Sequence, residues 1–352
     1  MTTPFSKCST TFTRIIPAAI VAAILSLAGT AQAQVTAQTL IGKAVSDDAQ
    51  TQEVTNAINR FRDRDIDGCK AILERVKSNN AKMPPPGVMM AMLWLSVNQL
   101  GPARGELEEA VIKFPKDPEP YLMMGDLAFQ DRRVTDADML FQKASQLTAE
   151  YADNAKRKRD FEIRCHAGNA AVAEARKQWE AAQGHLKSWI DLDPDNASAH
   201  QRMGIVLFQL SKPQEALEQF REAKKLDTKA VQPELAMARL YDDAKKRETA
   251  KKLIEAAIKE APKDPAVLLA ASQWYLGQGD LERSKSIAEQ AIALDAKSLE
   301  GKVVRGAIAR VARDYKTAEK FFYDAHVQSP GNFPASNSLA LRSEEHTSEL
   351  QS

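Results

Sequence analysis

Residues 197–230 read ASAHQRMGIVLFQLSKPQEALEQFREAKKLDTKA, and the spacing inside them decides the fold. Met203, Gly204 and Leu207 fall on one helical stripe, and Ala216, Phe220 and Ala223 form a second at i, i+4, i+7. Between them lies Leu210-Ser211-Lys212-Pro213-Gln214, a tight turn whose proline suits the first turn of a helix. The stretch therefore predicts two antiparallel helices folded back on each other.

Working outward in steps of 34, the same arrangement recurs in windows beginning at Gln50, Pro84, Pro118, Ile163, Ala197, Val231, Pro265 and Leu299. The eighth place is always small: Ala57, Ala91, Gly125, Ala170, Gly204, Ala238, Ser272 and Gly306. The twentieth place reads Cys69, Ala103, Ala137, Ala182, Ala216, Ala250, Ser284 and Ala318. The twenty-seventh is Ala except for Val76 and Trp189. Helix axes in contact approach to roughly 8–10 Å, and residue size at the crossing sets that distance, so recurrent small residues predict recurrent close crossings. Larger side chains at the twenty-fourth place, Leu73, Leu107, Phe141, Leu186, Phe220, Ile254 and Phe322, fill the gaps. Windows end at Pro115, Pro194, Pro262 and Pro330, each followed within two residues by an Asp or Asn able to cap the next helix.

A period in this range marks stacked repeats, each unit burying its apolar face on its neighbours. The pattern resembles the tetratricopeptide repeat family, most fully in the window from Leu299, where Gly306, Ala318, Phe322, Ala325 and Pro330 match the family's small, Ala, aromatic, Ala and Pro places. The resemblance runs from Gln50 to Leu341 and departs from the pattern at Cys69 and Val76, at Gly87 in an aromatic place, and at Trp189. It implies an all-α fold, an α-solenoid of helix-turn-helix repeats wound as a right-handed superhelix.

Eleven extra residues, Ala152 to Glu162, separate the third and fourth repeats, close to three helical turns, so the register is kept. One long helix from Ala152 to Arg176 is expected, with Lys156-Arg157-Lys158-Arg159 on its protruding part as a solvated face or a handle for an acidic partner.

The ends read differently. Lys7 and Arg14, the apolar stretch Ile15 to Leu27 and Ala31-Gln32-Ala33 predict a signal peptide over 1–33, removed before Gln34. The expected location is outside the cytoplasm, periplasmic or extracellular. Residues 34–49 form a linker and the start of the first helix, 50–151 repeats one to three, 152–162 the helical insertion, 163–332 repeats four to eight, and 333–341 the start of a ninth. The last eleven residues, Arg342 to Ser352, look like a translated sequencing adapter and are expected to be non-native.

Composition limits the function. With 48 basic and 47 acidic side chains the formal charge is +1, which supplies no field for nucleic acid or an anionic membrane. Cys69 and Cys165 lie two windows apart, too far in a linear array for a disulfide. No phosphate-cradling glycine loop, HExxH, CxxC or GxSxG occurs. His166 and His200 share the fourth place of adjacent windows but have no further ligand at metal spacing. No catalytic residue, cofactor, metal or small-molecule substrate is expected, and Asn196-Ala197-Ser198 matches the glycosylation tripeptide.

What remains is the binding surface the resemblance implies, a concave groove lined by first helices. It places there Val54, Ile58 and Phe61; Val88, Met92 and Leu95; Leu122, Asp126 and Phe129; Gln201, Ile205 and Phe208; then Leu235, Arg239, Leu269, Gln273 and Val303. Such a stripe favours an extended apolar peptide or the apolar face of a partner helix. The expected role is a non-catalytic scaffold or adaptor for a protein partner, touching membrane only indirectly. The alternative is the substrate-recognition module of a larger envelope enzyme or export machine with its active domain beyond Leu341. Self-association through the stripe is a third reading.

Overall fold

The computed structural model describes residues 35–42 and 48–330, so the signal-peptide, ninth-repeat and adapter expectations lie outside the described residues. Among the described residues there are seventeen helices and no strand. A short α1 (Ala37–Ile41) is followed by eight helix pairs. The first helices are α2 (Asp48–Arg62), α4 (Pro86–Ser96), α6 (Pro118–Gln130), α8 (Ala155–Ala175), α10 (Ala197–Gln209), α12 (Pro233–Asp243), α14 (Pro265–Gly277) and α16 (Leu299–Val311). The second helices are α3 (Ile66–Asn79), α5 (Leu100–Lys113), α7 (Val134–Glu150), α9 (Trp179–Leu192), α11 (Pro213–Leu226), α13 (Arg247–Glu260), α15 (Leu281–Leu294) and α17 (Tyr315–Gln328). None of these is long and apolar enough to cross a membrane.

The chain divides into two compact blocks, one through Ser211 and one from Lys212. Within each, the architecture is an all-α solenoid: every hairpin packs its second helix against the next first helix, as α3 on α4, α5 on α6 and α15 on α16. The residues at the eighth, twentieth and twenty-seventh places are all buried, which is why the small side chains recur there. Where serines replace alanines the hydroxyls pay their own desolvation: Ser272 Oγ donates to the Ser284 carbonyl at 2.7 Å and Ser284 Oγ to the Ser272 carbonyl at 2.8 Å.

In two repeats the large residue at the twenty-fourth place sits against glycine. The Phe141 ring lies between α6 and α8, so that a methyl group at Gly125 or Gly168 would fall 2.7 or 2.6 Å from it. Gly168 is thus a packing position rather than a weak point of its helix. In the last hairpin Phe322 meets Gly306 in the same way.

Each hairpin turns through one left-handed residue at the fifteenth place: Arg64, Asn98, Arg132, Lys177, Ser211, Lys245, Gly279 and Arg313. The turn closes by two bonds, for example Arg132 N–H to the Phe129 carbonyl at 3.0 Å and Arg133 N–H to the Ala128 carbonyl at 2.9 Å, the pairing of a Schellman cap. Only one of the eight is glycine, although a side chain at positive φ is disfavoured. Arg132→Gly is expected to raise stability by about 1 kcal/mol, read from the urea midpoint, whereas Gly279→Ala lowers it by a similar amount. Unchanged midpoints in both would refute strain at these turns.

Helix starts follow the capping expectation. Asp117 accepts from the Glu119 N–H at 3.0 Å, Asn196 from Ala199 at 3.2 Å and Asp264 from Ala266 at 2.9 Å. The expected helix from Ala152 is corrected: α8 begins at Ala155, capped by Asn154, and runs 21 residues. α7 runs 17 residues to Glu150, the insertion opens with the turn that follows Tyr151, and α8 starts only where the Asn154 side chain captures the Lys156 and Arg157 N–H groups.

Candidate functional site

The exposed faces of the first helices are the candidate site, and the seventeen residues assigned to them divide by place. Val54, Val88, Leu122, Leu235 and Leu269, at the fifth place, are buried. Neighbouring helices close over that place, so these residues pad the stack rather than present surface. Ile58 and Phe61 are also buried, for a separate reason given below. Met92, Leu95, Asp126, Phe129, Gln201, Ile205 and Phe208 are half-buried on the first block, and Val303 is half-buried while Arg239 and Gln273 are exposed on the second.

On the first block the apolar places are interrupted by ion pairs that the sequence did not announce. Asp126 is engaged by Arg164 at 3.0 Å, and Glu174 by Arg202, whose Nε donates to it at 3.0 Å. Burial pushes the Asp126 carboxyl above the ordinary carboxylate range, with Arg164 opposing. Arg202 also donates to the Ala167 carbonyl at 3.1 Å and lies 5.5 Å from the Trp189 ring, so the bulky twenty-seventh place is roofed by a guanidinium. The result is a surface of apolar patches, Met92 with Leu95, then Phe129, then Ile205 with Phe208, separated by neutralised charges.

The basic run at the start of α8 is not a free handle. Arg157 is 5% exposed, and its guanidinium reaches Glu119 at 2.7 Å, Asp117 at 3.3 Å and the Tyr151 hydroxyl at 2.9 Å, with the Phe161 ring 4.9 Å away. Lys158 donates to the Ala149 carbonyl at 3.1 Å, and Arg159 to that of Leu192. Three of the four cations therefore tie α8 to its surroundings. Arg157 and Arg164 are seven residues apart on α8, as Glu119 and Asp126 are on α6, so two turns of each helix face each other in register.

The histidines pair differently from the expectation. His166 meets His185 of α9, Nδ1 to Nδ1 at 3.3 Å, while His200 is buried with Nε2 at 2.9 Å from the Pro194 carbonyl. Antiparallel packing of α8 on α9 brings the first two together; the shared fourth place did not. Burial lowers both imidazoles below their usual range, and the charge of His185 lowers His166 further while Glu162 opposes the shift. A base lowered on folding contributes stability above its unfolded pKa and loses it as pH falls through the folded one. The melting temperature should accordingly fall from pH 7.5 to 5.5, and His166→Asn should flatten that dependence; identical slopes would discount the pair.

Among the described residues no three His, Cys, Asp or Glu side chains gather as a metal site. Among the described residues, Cys69 and Cys165 are buried and unpaired. Burial pushes the Cys69 thiol up to about 12, and Cys69 Sγ lies 3.5 Å from Met90 Sδ, so it packs as a small apolar residue. The Asn196 amide is committed to its cap and to Asp193 at 2.8 Å.

Fold and surface together define a helical-hairpin repeat protein with an exposed first-helix face. The family model for the tetratricopeptide repeat matches residues 167–231, which supports that repeat over the fourth and fifth windows. The chain is 30% identical over 102 residues to the small glutamine-rich tetratricopeptide repeat-containing protein 2 of Saccharomyces cerevisiae, a match covering 29% of each chain. It thus spans under a third of that relative's length. Among solved structures it is similar to a tetratricopeptide repeat protein from Parabacteroides merdae, at 17% identity and TM-score 0.43, over 72% of this chain and 96% of that one. YrrB, described as a TPR protein with an unusual peptide-binding site, matches at 14% identity and TM-score 0.32, over 66% and 96%.

Proposed function

We propose that the protein is a non-catalytic scaffold or adaptor that holds a peptide or helical segment of a partner protein against its first-helix faces. The observation that carries this reading is the recurrence of half-buried apolar side chains at the ninth and twelfth places of the second, third and fifth repeats: Met92, Leu95, Phe129, Ile205 and Phe208. A row of apolar patches fixed by ion-paired charges supports capture of an amphipathic segment, since the patches anchor and the charges set register. Tetratricopeptide repeats, matched over part of this chain, typically serve protein–protein interaction. The basic start, apolar stretch and Ala31-Gln32-Ala33 support action outside the cytoplasm, and N-terminal sequencing of the mature protein should begin at Gln34.

Phe129→Ala combined with Phe208→Ala tests the surface. Anchors of this kind each contribute upwards of about 1 kcal/mol on truncation, so partner retention should fall tenfold or more while the helical circular dichroism signal is kept. Unchanged retention in a folded double variant would remove the first-helix face as the site.

A further inference from the structure

The first repeat is the one of the eight in which both places that carry the proposed surface are buried. Ile58 and Phe61 stand at its ninth and twelfth places yet are 3% and 8% exposed, where Met92, Leu95, Phe129, Ile205 and Phe208 stay half-open. Their cover is α1. Ala37, Leu40 and Ile41 lie at i, i+3 and i+4, the spacing of one helical face, and all three are buried. They share one hydrophobic cluster with Val54, Ile58 and Phe61 of α2 and with Met89, Met90 and Leu93 of α4.

The placement is specific. α1 packs on α2 and α4, the first helices of two successive repeats; a segment capping the end of the stack would meet α2 and α3 instead. It lies across the first-helix face. Thr36 caps it through Oγ1, accepting from the Thr39 N–H at 3.2 Å, and Arg62 of α2 donates to the Val35 carbonyl at 3.4 Å. A helix of five residues has no stability of its own in water, so the face on which it lies holds it in shape.

We infer that α1 is a built-in ligand: it occupies in cis the part of the face formed by the first two repeats, and a partner enters there only when α1 leaves. The segment that fits is a short amphipathic helix with a small residue, Leu and Ile at i, i+3 and i+4, and uncharged polar residues on its outer side, as Gln38 and Thr39 are here. This rests on the proposed binding face and adds its ligand class and its control.

The test uses a fluorescein-labelled peptide of residues 34–42 (QVTAQTLIG), titrated by anisotropy against the full-length protein and two variants. One variant is Leu40→Asp with Ile41→Asp, and the other lacks 35–42. Both variants should keep their helical signal and bind the peptide at least tenfold more tightly than the full-length protein, in which α1 competes at high effective concentration. A peptide with Asp in place of its Leu and Ile should not bind. Absence of binding to both variants, or equal binding to all three proteins, overturns the inference. Collapse of the helical signal in both variants also overturns it, since α1 would then be a structural cap. If α1 fails this test while Phe129→Ala with Phe208→Ala still abolishes partner retention, the face stands and only its built-in ligand falls.

Discussion

Phe141→Ala is expected to destabilise the first block by about 3–5 kcal/mol, the range for deleting a fully buried ring that the surroundings cannot collapse upon. Collapse is hindered because the ring is gripped from both sides by backbone: Gly125 of α6 and Gly168 of α8 approach it without a Cβ between. Urea denaturation of the folded protein reads the loss. The arrangement also predicts coupling. Gly168→Ala alone overpacks the contact and costs about 1–3 kcal/mol, but a smaller side chain at 141 makes room for the new methyl group. The double variant Gly168→Ala with Phe141→Leu should therefore lose less than the sum of its parts. Strict additivity would mean that ring and glycine do not share the space.

Arg157→Ala should have an effect of similar size by a different route. It removes the cation that pairs with Asp117 and Glu119, whose side chains are 11% and 16% exposed; Glu119 keeps Arg164 at 3.8 Å, whereas Asp117 loses its ion pair. Breaking a buried pair by deleting one partner typically costs about 3–5 kcal/mol, because the orphaned charge keeps its desolvation penalty. The pH dependence identifies the mechanism. Burial already pushes the Asp117 carboxyl up while Arg157 opposes it, so without Arg157 it rises further. A carboxyl raised on folding destabilises once pH exceeds its unfolded value, and that penalty disappears on acidification. The deficit of the variant against the parent should thus shrink between pH 7 and pH 4.5. A deficit independent of pH would point to lost packing on Phe161 instead.

The helix pairs and their crossings were legible because they depend on local geometry. Small residues at Ala57, Cys69 and their counterparts could only mean close helix contacts, and the aspartates and asparagines after each proline could only serve as caps. The hairpin turns were not legible, since the left-handed residue is arginine or lysine in five of eight cases and nothing in those side chains signals positive φ. The ion pairs of α8 escaped for another reason. Arg157 finds Glu119 across 38 positions, and a charge on a helix reads as solvated until the neighbouring helix is in place. The repeats themselves could have flagged which of the assigned groove residues are buried. Val54, Val88, Leu122, Leu235 and Leu269 are aliphatic at the fifth place, as an interior position requires, with Gln201 breaking the series, while the ninth place drifts from Met92 to Asp126 to Arg239, as a surface does.

The strained turns have a bearing on how this molecule can change. They stand one full repeat or more apart along the chain, so relief at one should add to relief at another. Six substitutions to glycine or asparagine are open, since Gly279 and Asn98 already stand at two of the eight turns. The array holds a reserve of heat resistance that can be drawn on stepwise, with the recognition chemistry left as it is.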